Sequence, residues 1–161
     1  MNISRITFPP SRRPVSLFVR SLAVIGLLTG IGGVAFASSI TFTTIDDPLA
    51  TAGTGAGGIN DAGQIAGYYA VGSAYYGFVT NGGAFSTLGD PLAPNLTVAN
   101  GINDAGGIVG RYNTSGSTSG IHGFLDSGGV FSTIDDPLAT AGTLALAINA
   151  SGLIVGYITT V

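Results

Sequence analysis

Asp46-Asp47 and Asp135-Asp136 are the adjacent carboxylates of this sequence, and paired carboxylates are common equipment for general acid/base chemistry. Consecutive side chains on an extended strand point to opposite faces, so two such neighbours do not converge on one substrate. A further Asp, Asp90, follows Gly89 and, like Asp47 and Asp136, stands directly before a Pro. Proline pushes the residue before it to extended geometry, and an Asp there bonds to nearby backbone amides. What the three places share is a turn, so the carboxylates are read as structural and no catalytic residue is assigned.

Asp61 and Asp104 each follow an Asn, which raises the question of calcium. An oxygen cage for Ca²⁺ takes about six to eight ligands, and each Asn-Asp is followed at once by Ala and Gly. With no Cys in the chain, thiolate metal sites, disulfides and a Cys nucleophile are excluded. His122 is the single histidine, and neither a Gly-x-Ser-x-Gly elbow nor a His-Glu-x-x-His motif occurs. No metal ligand and no cofactor site is assigned. The side chains left as surface contacts are Arg111, His122, Tyr68 and Tyr157; Arg111 is expected to pair with a turn Asp in preference to stacking beneath a sugar.

The elements that would position these residues come from a repeat. Asp-Pro falls at 47/48, 90/91 and 136/137, the Asn of a turn at 60, 103 and 149, and the Gly of the following strand at 67, 110 and 156, so each series steps by 43 and then 46. Thr44–Thr54 and Thr133–Thr143 are identical over eleven residues. Such self-similarity marks internal duplication. The units are set at about 42–84, 85–130 and 131–161, within a repeat domain of residues 38–161.

Each unit holds strand-like runs, typified by one that ends at Gly58-Ile59-Asn60 and by Gln64–Tyr69, Tyr75–Thr80 and Ala84–Leu88. Asn-x-x-Gly between the first two suits a tight turn: Asn60, Asn103 and Asn149 accept from the backbone, and Gly63, Gly106 and Gly152 take the left-handed position. Apolar residues occupy both faces of Gln64–Ala70, so this strand is expected to be covered on both sides. The expected fold is all-β, built of four-stranded antiparallel units like β-propeller blades but incomplete at about two and a half of them, behind an N-terminal signal helix. Because propellers close with four or more blades, the open edges are expected to promote self-association.

Gly-Ile-Asn-Asp-x-Gly-x-Ile-x-Gly-x-Tyr, followed by His122-Gly123-Phe124-Leu125 and Gly-Gly-x-Phe-Ser-Thr-Ile-Asp-x-Pro, resembles the bacterial extracellular repeats of the HAF family. The resemblance runs from Phe42 to Val161. It departs from the family pattern at Tyr76, which stands for the motif His, and at Gly77 and Gly123, which stand for its Ala. What it implies is an exported repeat protein of propeller-like build, and it transfers no catalytic residue.

Residues 1–37 are read as a signal peptide: an Arg-bearing start, the apolar run Ser21–Ala37, and Ala35-Phe36-Ala37 ahead of a cleavage point. The remainder carries Arg111 as its one Arg against eight Asp, a formal charge of −7. That sign repels phosphate backbones, so nucleic-acid binding is set aside. The resulting expectation is a secreted or cell-surface protein exported by a Sec-type route, with the periplasm as another destination and no membrane association after cleavage. Its expected role is non-enzymatic, as a structural or adhesive module. The competing role is binding of glycan through exposed tyrosines, as a lectin-like protein or part of a carbohydrate-active enzyme.

Overall fold

The computed structural model describes residues 17–27, 35–93, 96–114 and 120–161, and every regular element in them is a strand. In chain order these are β1 (Leu17–Leu27), β2 (Ala35–Ile45), β3 (Thr54–Ile59), β4 (Ile65–Val71), β5 (Ala74–Asn81), β6 (Ala84–Leu88), β7 (Thr97–Ile102), β8 (Gly107–Asn113), β9 (Ile121–Ser127), β10 (Val130–Ile134), β11 (Gly142–Ile148) and β12 (Ile154–Thr159). The fold is all-β. Strands β3 to β6 form an antiparallel meander, β7 to β10 repeat it, and β11 and β12 repeat its first two strands. Consecutive units are tied by one parallel pairing each, Tyr75 with Leu96 and Ile121 with Gly142, at corresponding places in the repeat.

The expected signal helix is not what the described part of the leader forms. Leu17–Leu27 is a strand, antiparallel to β2, with Leu17 opposite Ile45 and Leu27 opposite Ala35. Phe18, Val19, Val24 and Ile25 are aromatic or β-branched and favour extended backbone, and the pairing occupies an edge of β2. Phe42–Ile45 is accordingly the end of a longer, paired strand. Residues 1–16 and 28–34 of the leader lie outside the described residues. Among the described residues no helix is long and apolar enough to cross a membrane.

The units pack face to face: β7 touches β3, β4 and β5, and β11 touches β7, β8 and β9. Ala66 of β4 and Leu88 of β6 meet Ile102 of β7, Ile108 and Tyr112 of β8 and Phe124 of β9 in one core. Burial of such side chains is the main favourable term, roughly 1.5–3 kcal/mol for each large one. On the other face of the first unit, Ile45 packs with Tyr69 and Phe78. Strand β2 thus stands to the first unit as β6 stands to the second.

Two backbone features let the strands approach. A Cβ on Gly67, Gly110 or Gly156 would lie 2.2, 2.0 or 1.9 Å from the carbonyl oxygen of Gly55, Val98 or Leu144, so each position admits only hydrogen. In the first strand of each unit the register shifts across one extra residue, Gly57, Asn100 or Leu146. These bulges bring successive first strands together, and a Cβ on Gly57 would stand 2.5 Å from the Ala99 oxygen.

Candidate functional site

The three Asp-Pro turns have one geometry. The Oδ1 of Asp47, Asp90 and Asp136 accepts from the N–H of Leu49, Leu92 and Leu138 at 2.9, 2.8 and 2.8 Å. Their own N–H groups donate to the hydroxyls of Thr54, Thr97 and Thr143 at 2.9, 3.1 and 3.0 Å. The carbonyls of the same Asp residues close the turn on Ala50, Ala93 and Ala139. Thr54 also donates to Asp46 Oδ1 at 3.2 Å. Adjacent carboxylates therefore serve separate bonds, and the Thr seven residues downstream is the partner that the sequence reading missed, although it too steps by 43 and 46.

The Asn turns do more than turn the chain. Gly63, Gly106 and Gly152 sit at φ 77, 80 and 83°, the left-handed region where a side chain is strained. Within each turn the Asn Oδ1 accepts from a backbone N–H four residues on, Gln64 to Asn60 at 2.9 Å, Gly107 to Asn103 at 2.8 Å and Leu153 to Asn149 at 2.8 Å. Its Nδ2 reaches into the next unit: Asn60 donates to the Asn103 carbonyl at 3.1 Å, and Asn103 to the Asn149 carbonyl at 3.0 Å. An Asp would lose the donor, so the ladder requires an amide. Beside it, the Asp61 N–H donates to Asp104 Oδ1 at 2.8 Å. Asn100 Nδ2, from the bulge, donates to the Ala145 carbonyl at 2.8 Å.

Of the four proposed contact residues, Tyr68, Arg111 and Tyr157 occupy one repeat position in successive units. His122 lies on the opposite face of the second unit from Arg111, because its cross-strand partner is Tyr112. Its ring stacks on Tyr112 at 5.0 Å and 26°, and its Nδ1 meets Asp135 Oδ2 at 2.8 Å. In the first unit Tyr76 stacks on Tyr69 in the same manner at 5.3 Å and 24°, and Gly89 stands at the position of Asp135. The hydroxyls of Tyr69 and Tyr112 pair with Thr87 and Thr133 at 3.2 and 2.7 Å. His122 thus fills a structural ring position, flanked by a cleft of about 230 Å³ lined by His122, Asp135, Asp136, Thr140 and Thr143.

Arg111 departs from expectation. Among the described residues Arg111 makes no ion pair. It lies mid-strand between Val98 and Gly123, whereas the Asp-Pro carboxylates sit at strand ends and are engaged by backbone amides. The tyrosines do not form one platform either: Tyr69 and Tyr112 are buried core residues, at 4% and 2% exposed. Tyr68 and Tyr75 make an edge-to-face pair at 5.6 Å, and Tyr157 is half exposed on the last unit. No group of three or more His, Cys, Asp or Glu among the described residues is arranged to hold a metal ion.

Asp126 is a carboxylate with a perturbed acidity. It takes the repeat position of Thr80, is buried, and accepts from Gly129 N–H at 2.8 Å. Burial pushes its carboxyl above the ordinary range, and the Gly129 bond opposes that shift.

In comparisons with family models, curated proteins and solved structures, nothing matches the chain.

Proposed function

We propose that the chain is an exported, non-enzymatic repeat protein of propeller-like build, serving as a structural or adhesive module at or beyond the cell surface. The observation that carries this reading is the employment of its polar side chains. The Asp-Pro carboxylates, the turn amides and His122 are each committed to a turn, to a neighbouring unit or to a ring stack. Sites that do acid/base chemistry need groups free to exchange protons with a substrate, and the three Asp-Pro carboxylates and His122 already have partners. Units packed face to face are the physics of repeat scaffolds, which bind through extended surface. The resemblance to HAF repeats and the leader-like residues 1–37 support export, with cleavage after Ala37 removing β1 and leaving Ser38–Ile45 of β2.

Carbohydrate binding is the second reading, and it rests on the partly exposed Tyr68–Tyr75 pair, since tyrosine presents an apolar face and a polar tip. A glycan array probed with the purified chain separates the two. The structural reading expects no glycan signal that falls when Tyr75 is changed to Ala; a saturable signal that does fall would replace it with the lectin-like one.

A further inference from the structure

The array makes one kind of contact twice internally, and its two ends present the halves of a third. Where a unit is covered, its repeat positions are dry: Ile102 is 7% exposed and Val109 is 0% exposed. At the first unit's uncovered face the residue equivalent to Ile102 is Ile59, 59% exposed, and at the last unit's uncovered face the residue equivalent to Val109 is Val155, also 59% exposed. The hydrogen-bond groups follow the same pattern. The carbonyls of Asn103 and Asn149 each accept twice, from their own turn Gly and from the preceding unit's Asn. The Asn60 carbonyl accepts from Gly63, and no preceding Asn reaches it among the described residues. Conversely, Asn149 occupies the position from which Asn60 and Asn103 donate forward, and among the described residues its amide reaches no further unit.

We propose that β11 and β12 of one molecule seat on the part of the β3 and β4 face that β1 and β2 leave open in a second copy of this chain, so that the internal contact is continued head to tail. Asn149 Nδ2 then donates to the partner's Asn60 carbonyl. The Ala150 N–H donates to the carboxylate of the partner's Asp61, as Asp61 N–H donates to Asp104 within one chain. That bond is missing between the second and third units because Ala150 has no carboxylate, and the junction between copies restores it. The receiving surface is a groove of about 630 Å³ whose lining includes Ile45, Ile59, Ile65, Thr80 and Phe85. Thr80 Oγ1 is the buried side-chain oxygen without a hydrogen-bond partner among the described residues. Strand β2 flanks this groove through Ile45 as β6, through Leu88, flanks the covered face of the second unit. The contact joins two different surfaces, so it is heterologous, and it does not depend on the functional reading above.

Complementation tests it. Ile59→Arg blocks the receiving face and Val155→Arg the inserting face, and both sites are exposed, so each variant is expected to keep the fold by circular dichroism. In sedimentation across a wide concentration range the parent chain self-associates, each variant alone is monomeric, and an equimolar mixture forms dimers, because each variant keeps one intact end. Asn149→Asp, which keeps the turn acceptor and removes the donor, weakens parent association about tenfold. A parent chain monomeric at all concentrations, variants that still self-associate, or a mixture that stays monomeric would each overturn the proposal. Association driven by the apolar leader is recognised by its indifference to all three substitutions.

Discussion

Asp126 and Thr80 stand at one repeat position in two environments, which isolates what burial does to a carboxylate. The raised pKa of Asp126 in the folded chain, against the ordinary 3.8, fixes the sign of a pH effect. A carboxyl that is a weaker acid when folded favours the folded state below its unfolded value, and that contribution is lost as pH rises through the folded value. Asp126→Asn keeps an acceptor for the Gly129 N–H and removes the buried charge. Urea titrations are expected to show a higher midpoint for the variant at neutral pH and no difference at about pH 3, where the carboxyl is protonated in both states. A variant less stable than the parent at neutral pH would mean that the charge itself is held by a favourable partner.

At the scale of the element, the Asn turn couples a local hairpin to its neighbour. Asn103→Asp retains the acceptor for Gly107 but sets a carboxylate against the Asn149 carbonyl and abolishes the donated bond. It is expected to cost roughly 1–3 kcal/mol. Asn149→Asp in dilute solution is expected to cost much less, since no described unit receives its amide. Equal losses in the two urea midpoints would show that the turn alone, not the ladder, sets the stability. Much of this was legible beforehand: three in-phase markers located the turns, and Asn60, Gly63 and their counterparts were read as turn residues. The donor half of each Asn was not, because its acceptor lies 43 or 46 residues away and is found only once the units are stacked. The bulge escaped for a different reason, since Gly57, Asn100 and Leu146 share no side-chain chemistry that spacing could reveal. The ion pair expected at Arg111 failed because a strand position carries no information about which carboxylates are already engaged. The leader's helix was inferred from hydropathy, which does not distinguish a helix from a strand over a β-branched run.

Across the whole molecule, stability is spread unevenly because each unit leans on its neighbours. The second unit is packed on both faces, whereas the last is covered on one. Repeat arrays gain stability from each interface, so a unit with two interfaces opens less often than one with a single interface. Amide hydrogen exchange is expected to be slowest in β7 to β9 and faster in β11 and β12. Uniform protection would indicate that the units open together. The Asn ladder adds a direction to this arrangement: every amide donates toward the C-terminal neighbour and every receiving carbonyl lies on the side facing the N-terminal one. A gene segment encoding one whole period, copied or deleted in phase, would therefore leave a matched donor and acceptor at the new junction. A segment of any other length would not, so descent by duplication is channelled into integral copy numbers, and the length of such proteins can change between relatives in steps of one repeat while the junction chemistry stays the same.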